Sequence, residues 1–346
     1  MNLYLTADRI GLQTGGGLVT ANEAIALSSL GPCRLICREK LGECADPWGW
    51  DEAALALTRD SYSLVHGYAG TFGKSIAQLK YNGAKVVWTI AAHDRKVSRE
   101  EHEQLEMGFP YPHLVEEPLW QRYIEGYRLA DVIVCPSSVA ADTVKAYGSE
   151  FKEKNIQVIP HGCTLPKEVK PPPKRFTVGY MGSFGADKGV RYLLEAWKDL
   201  NYIDAVLVLA GKESTSCWTR LLYEKFGGGN VQFRGWVDNA SDFYNSISLY
   251  VQPSATEGFG CEVLEAMAHG RAVICSRGAG ASDMVGDSTV AACDVEALIE
   301  DIDSWKRNGR DSLVAKGEEC RSIATRYTWE KIRQRYTDLW QSLFRF

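Results

Sequence analysis

Ser254-Ala255-Thr256-Glu257-Gly258-Phe259-Gly260-Cys261-Glu262-Val263-Leu264-Glu265-Ala266 is the stretch that decides the fold. The apolar run from Ile247 to Val251 before it reads as a buried strand. Val263-Leu264-Glu265-Ala266-Met267-Ala268 is rich in helix formers, Gly270 ends that helix, and Ala272-Val273-Ile274-Cys275 reads as the next strand. Strand, glycine turn, helix and strand in this order belong to an open parallel sheet, whose ligands sit at the carboxyl ends of the strands. The helix N-terminus offers N–H groups and the positive end of its dipole to an anion. Gly258 and Gly260 let that anion approach the backbone. Glu257 in the loop and Glu265, about one turn into the helix, can then face one ligand, one at each end of a diphosphate.

Outward from this motif the alternation continues. Leu3–Thr6, Arg34–Arg38, Leu64-Val65-His66, Val86–Thr89, Val132–Cys135 and Val158-Ile159-Pro160 read as strands, and Ala21–Leu30 as a helix. Lys170-Pro171-Pro172-Pro173-Lys174 then breaks regular structure and reads as a linker. A second alternation follows, with strands at Thr177–Met181, Ala205–Ala210, Val231–Phe233, Ile247–Val251 and Ala272–Cys275. Helices at Val190–Lys198 and Cys217–Phe226 lie between them. Two such alternations in 346 residues imply two Rossmann-like α/β domains with a cleft between them.

Composition removes several function classes. A hydrophobic content of 45% with 24% charged residues is that of a globular domain, and no apolar run approaches the roughly 18 residues of a membrane span. The net charge is -5, and residues 1–170 hold 18 Lys/Arg against 21 Asp/Glu, so neither half is basic. Nucleic acid as a partner is disfavoured, since it needs clustered positive charge, and there is no strong membrane signal. The N-terminus reads as the first strand rather than a signal peptide. None of the ten cysteines forms a C-x-x-C pair, which points to a reducing compartment without a zinc site or disulfide framework. The expected location is the cytoplasm, with peripheral association at a membrane left open.

Other candidate site residues follow strand ends. Gly179-Tyr180-Met181-Gly182-Ser183-Phe184-Gly185-Ala186-Asp187-Lys188-Gly189 follows the first strand of the second domain and puts Lys188 where a cation can hold a diphosphate. Thr14-Gly15-Gly16-Gly17 follows the first strand of the chain, but Thr20 breaks the G-x-G-x-x-G fingerprint of a nicotinamide enzyme. Trp88 to Asp94 carries His93 past a strand end, with His66 on an earlier strand as a second candidate. His161, in Pro160-His161-Gly162, reads as a structural residue tolerant of positive φ. Asp301-Ile302-Asp303 is the only D-x-D, and it reads as a solvated helix face rather than a metal pair.

The Glu257–Glu265 string, with Pro253-Ser254 before it and Ala266-x-Ala268-x-Gly270 after it, resembles the E-x7-E signature of retaining glycosyltransferases of the GT-B fold, family GT4. The resemblance covers nearly the whole chain. It implies an acceptor-side domain over 1–170, a donor-side domain over 171–326, and a last helix, 327–346, that crosses back onto the first domain. It implies transfer of a sugar from a UDP- or GDP-sugar to a hydroxyl of a glycan, lipid or small molecule, with retention, in glycan or glycoconjugate synthesis. The nucleotide sugar would be a co-substrate, with no further cofactor and no metal. By the same resemblance Glu257, His93 and Lys188 would act at the reaction centre. Gly16, Gly17, Ser183, Lys188, Val237, Gly258, Phe259, Gly260 and Glu265 would line the donor, Glu265 on the ribose and Val237, in Gln232-Phe233-Arg234-Gly235-Trp236-Val237, beside the base. The family usually carries an arginine where Ser183 stands, so one phosphate contact would come from elsewhere, with Arg191 and Arg95 as candidates. A nucleotide-sugar epimerase, a phosphorylase or a non-catalytic nucleotide-sugar-binding module on the same fold are the alternatives.

Overall fold

The computed structural model describes residues 1–6, 10, 15–37, 40–41, 47–68, 72–90, 117–211 and 217–344. The described residues divide into two compact units. One takes the chain up to Gly162 together with Trp329 onward, and the other takes Cys163–Thr328.

The first unit is a parallel sheet of β1 (Asn2–Thr6), β2 (Cys33–Ile36), β3 (Leu64–Tyr68), β4 (Lys85–Thr89), β5 (Val132–Cys135) and β6 (Ile156–Val158), in the order β2-β1-β3-β4-β5-β6. Helices α1 (Gly15–Ser28), α2 (Pro47–Leu57), α3 (Gly73–Tyr81), α4 (Glu117–Leu129), α5 (Ser138–Lys145) and α6 (Ser149–Lys152) connect the strands. Gly15, Gly16 and Gly17 are not a loop before a later helix. They form the first turn of α1, which starts six residues before the expected Ala21.

One face of this sheet packs Leu3, Leu5, Val65, Val86, Trp88 and Ile133 into an apolar core. The other face is polar and aromatic. His66, expected as a possible site residue, is completely buried there in the middle of β3. It stacks on Tyr4 at 5.5 Å, lies 3.2 Å from Glu23 Oε2 and from Thr89 Oγ1, and accepts a 3.2 Å hydrogen bond on Nδ1 from the Trp340 indole. Because an indole N–H only donates, the ring proton sits on Nε2, facing Glu23. Burial alone would raise the Glu23 carboxyl, but His66, Tyr336 and Tyr4 outweigh it and hold it below its ordinary value. Trp340 and Tyr336 belong to the last helix, Trp329–Ser342, whose buried side chains Ile332, Tyr336 and Trp340 lie on α1. The terminal helix thus returns to the first unit because that unit's polar face is complete only with it.

The second unit repeats the plan: β7 (Thr177–Met181), β8 (Val206–Ala210), β9 (Val231–Phe233), β10 (Leu249–Gln252), β11 (Ala272–Ser276) and β12 (Thr289–Val290), all parallel, in the order β12-β11-β10-β7-β8-β9. Helices α7 (Val190–Leu200), α8 (Cys217–Phe226), α9 (Ala240–Asn245), α10 (Cys261–Ala268), α11 (Ser282–Val285) and α12 (Val295–Ala324, broken at Gly309, φ +79°) surround it, and the terminal helix is α13. Alternate residues of each strand enter two cores, such as Val208, Tyr250 and Val273 on one face and Leu207, Val251 and Ile274 on the other. Burial on both faces explains the unbroken apolar runs in the sequence.

The proline-rich stretch has no regular structure, yet it is fastened to the second unit. Buried Arg271 donates to the Lys170 and Ile247 carbonyls, Arg310 donates to the Pro172 carbonyl, and Arg321 donates to the Ala268 and Pro166 carbonyls. The chain therefore passes from one unit to the other at Gly162, ahead of the prolines. A Cβ on Gly162 would lie 2.7 Å from the Trp329 indole and 2.9 Å from its backbone, so only glycine fits where α13 begins.

His161 is structural for a reason other than backbone geometry. The only non-glycine residues with positive φ among those described are Asn201 and Cys293. His161 is instead buried, and burial pushes its imidazole down to about 4, with Glu23 pulling weakly the other way. A histidine held neutral in the fold but titrating at its ordinary value when unfolded costs stability as pH falls. The His161 contribution alone should fall by about 1.4 kcal/mol per pH unit from pH 6.5 toward 4, roughly 3 kcal/mol in all. Chemical denaturation of the protein and of His161→Asn across that range checks this, the difference in stability between the two being expected to change by that amount.

Candidate functional site

The strand order of the second unit reverses between β7 and β10, and such a switch point opens a crevice at the strand ends. The loops that follow these two strands carry the quoted motifs. After β7 the chain turns at Gly182, passes Ser183, and forms a 3-10 turn at Ala186–Lys188 before Gly189 begins α7. After β10 it runs through Pro253 to Gly260, which caps α10 with φ +90°.

Two glycines let these loops meet. Gly189 has φ +65°, and a Cβ there would sit 1.9 Å from the Pro253 carbonyl oxygen. Gly211, at the end of β8, would place a Cβ 1.8 Å from the Gly182 carbonyl. The Asp187 carbonyl accepts from the amides of Ala255 (2.8 Å) and Thr256 (3.2 Å), which locks one loop to the other. Gly278 adds a third close approach, under the Ala255 carbonyl, and Glu257 exchanges backbone hydrogen bonds with Gly278 and Gly280. Beneath the loops the Tyr250 hydroxyl donates to Gln252 (2.6 Å), Gln252 to Ser254 (2.8 Å), and Ser276 to the Ser254 carbonyl. This floor has no signature in the sequence, because its members lie on β10, β11 and the loop between β10 and α10.

The consequence is an ion pair at the mouth of α10. Lys188 Nζ donates to Glu257 Oε2 and lies 3.8 Å from Asp187 Oδ2. Burial pulls the ammonium down, but Glu257 and Asp187 outweigh it and hold Lys188 above its ordinary value, so it stays charged. Glu265 is the fifth residue of α10, and its Oε2 accepts a 2.8 Å hydrogen bond from the Tyr244 hydroxyl on α9. Burial raises the Glu265 carboxyl and Tyr244 moderates the rise. His269 holds this corner from behind, with ring nitrogens 2.7 Å from the Glu265 carbonyl oxygen and 2.8 Å from Ser241 Oγ.

The expected residues are partly brought together. Glu257, Gly258, Phe259, Gly260, Glu265 and Lys188 share the β7/β10 crevice. Phe259 and Gly258 are buried, and the Phe259 carbonyl accepts from Ala281 at 2.7 Å. Ser183 is exposed, and its carbonyl, not its hydroxyl, is engaged, by Tyr180 at 2.6 Å. Val237 packs toward the core while Trp236 beside it stands 58% exposed. Arg191, on the first turn of α7, is held by Glu195 at 2.9 Å. Gly16 and Gly17 lie in the first unit, where the Gly17 carbonyl accepts from Thr20. His93 and Arg95 lie outside the described residues. Asp303 is bonded to Tyr202 (2.7 Å) and Arg307 (2.8 Å), an ordinary helix-face arrangement. Among the described residues no three His, Cys, Asp or Glu side chains converge as a metal set, no disulfide forms, and no helix is long and apolar enough to cross a membrane. Tyr244 and Glu262 are the site-region side chains that the motif reading passed over.

Residues 164–323, nearly the whole second unit, match the model of the family described as Glycosyl transferases group 1. Lipopolysaccharide 1,2-N-acetylglucosaminetransferase of Salmonella typhimurium is 24% identical over 241 residues, 64% of this chain and 59% of its own length. The matched stretches span 59%, 42% and 46% of the first curated relatives, about half their length. Sucrose-phosphate synthase of Thermosynechococcus elongatus superposes with a TM-score of 0.78 at 21% identity, covering 99% of each chain. The HepE structure from Anabaena, in complex with UDP and glucose, gives 0.73 at 16% identity, covering 99% of this chain and 100% of that one. The chain thus has the GT-B fold.

Gly189→Ala would force a left-handed alanine against a backbone carbonyl. It should cost about 2 kcal/mol or more and part Lys188 from Glu257. Thermal unfolding reads the first effect, and the second appears as a fall of the Lys188 ammonium toward its ordinary titration, followed by NMR of labelled lysines.

Proposed function

We propose that this chain, whose residues 164–323 belong to the group 1 glycosyltransferases, transfers a sugar from a nucleotide-diphosphate sugar to a hydroxyl group in glycan or glycoconjugate synthesis, with retention of anomeric configuration. The observation that carries this reading is the Lys188–Glu257 pair at the N-terminus of α10. An ammonium, the N-terminal end of a helix and its dipole form one anion site. Glu265 lies one turn further in, positioned by Tyr244 for a ribose hydroxyl. The exposed Trp236 loop at the end of β9 supplies the side where a base would lie. HepE of Anabaena was captured with UDP and glucose, which favours a UDP-sugar as the first donor to try, with GDP-sugars next.

In this reading the bond between the anomeric carbon and the diphosphate oxygen breaks, and the electron pair leaves with the diphosphate. Lys188 and the amides of α10 stabilise that growing charge in place before it develops. The acceptor hydroxyl attacks from the face the diphosphate leaves, and its proton passes to the departing phosphate oxygen. Glu257 holds the sugar hydroxyls while exchanging Lys188 to the phosphate. His93 would steady the sugar near the reacting carbon. No further cofactor and no metal is called for in this scheme.

Calorimetry with UDP, GDP, ADP and dTDP tests the reading. One of them should bind in the micromolar range, and binding of none contradicts it. Glu265→Ala should weaken that nucleotide on the order of 10- to 100-fold, the loss of one or two hydrogen bonds to a charged group. Glu257→Ala should abolish transfer with a smaller effect on the nucleotide. Full nucleotide affinity in the Glu265 variant would remove its ribose role. Proton NMR of the first product formed reports whether the anomeric configuration is kept.

A further inference from the structure

Glu265 has one carboxylate oxygen engaged and one open. Its Oε2 accepts the 2.8 Å hydrogen bond from the Tyr244 hydroxyl, while no described residue donates to Oε1 and no described cation pairs with the carboxylate. The side chain is nonetheless half-buried. Oε1 is not one of the buried atoms that lack a partner, so it reaches solvent. A carboxylate only accepts hydrogen bonds, and one drawn out of water without a cation is incomplete until a second donor arrives.

Tyr244 has no freedom to move away. It is completely buried on α9, its ring lies 4.9 Å from the His269 ring at 33°, and it meets Tyr250 edge-on at 5.9 Å. His269 in turn ties the two helices together, one ring nitrogen on the Glu265 carbonyl oxygen and the other on Ser241 Oγ. A phenol wedged between two rings keeps its hydroxyl in one place. That hydroxyl therefore fixes the rotation of the Glu265 carboxylate, with Oε2 taken and Oε1 left as the free acceptor.

Resting on the donor reading above, we propose that Tyr244 is a positioning residue that makes this site selective for ribonucleoside diphosphates over their deoxyribose counterparts. It holds Glu265 so that Oε1 takes one ribose hydroxyl. Glu265 is the fifth residue of α10, about 6 Å along the helix from its anion end, and the ribose is the unit of a nucleotide next to its diphosphate. A sugar lacking that hydroxyl shields the carboxylate oxygen from water and offers it no donor. This penalty, added to the lost bond, sets the selectivity.

Calorimetry of the full chain with UDP, GDP and ADP, each beside its 2′-deoxy and 3′-deoxy forms, and with dTDP tests this. The ribonucleotide that binds should lose about 10- to 100-fold in affinity in one of its deoxy forms. Tyr244→Phe keeps the ring and removes only the hydroxyl. It should bring that ratio below about threefold by weakening the ribonucleotide, with the deoxy form bound as before. The ratio should vanish in Glu265→Ala as well. Adding Tyr244→Phe to that variant should change nucleotide affinity no further, since the tyrosine acts through the glutamate. A tyrosine that merely packs α9 onto α10 would lower thermal stability and leave the ratio unchanged. Equal affinity for the ribose and both deoxy forms in the unaltered protein overturns the proposal, as does binding of dTDP alone or a Tyr244→Phe variant with the wild-type ratio. The first two need no variant, so a poorly folded substitution cannot hide the answer. Binding of none of these nucleotides overturns the donor reading itself, which separates the two failures.

Discussion

The contact of Gly189 with the Pro253 carbonyl is the constraint on which the site depends. It brings the loop after β7 against the loop after β10, and the two amide hydrogen bonds onto Asp187 hold them there. Everything chemical in the second unit follows from that approach. Lys188 reaches Glu257 because the loops touch, and it remains charged because Glu257 and Asp187 outweigh the effect of burial. The floor of Tyr250, Gln252, Ser254 and Ser276 supports the loop from below with satisfied hydrogen bonds. A site built on strand ends and a helix terminus is placed more firmly than one built on long loops, which suits an anion whose charge changes during reaction.

The first unit solves a different problem with buried polarity. Its sheet pairs an ordinary apolar face with one made of Tyr4, His66, Thr89 and Glu23, closed by Tyr336 and Trp340 from the terminal helix. Glu23 Oε1 remains without a hydrogen-bond partner, so the cluster is strong on one carboxylate oxygen and costly on the other. Such a cluster is satisfied in one arrangement of the helix, which fixes where the end of the chain lies within the unit.

Much of this was legible in the residues, and the exceptions have physical causes. The central strands of the second unit are buried on both faces, so β8 and β11 stand in the sequence as apolar runs within one residue of the bounds observed. The Glu257–Glu265 motif was readable because glycines at fixed offsets mark close backbone approaches. The start of α1 was not, since three consecutive glycines signal a loop by propensity, and tertiary packing of α1 against the terminal helix overrides them. His66 looked like a strand-end residue because its partners, Glu23 and Trp340, are 43 and 274 positions away in the chain. His161 was read as structural through backbone conformation, whereas burial is the cause. Glu262 carried no sequence signal at all. Burial first, then Glu257 and Glu265, raise its carboxyl, and none of these is visible in the local sequence.

The central claim is that the Lys188–Glu257 junction is a diphosphate site that exchanges one anion for another. A crystal structure of the protein with the nucleoside diphosphate that binds tests it most directly. The account predicts the diphosphate over the N-terminus of α10, with Lys188 turned from Glu257 onto a phosphate oxygen. A nucleotide bound elsewhere, or one bound while Lys188 and Glu257 remain paired, would contradict it.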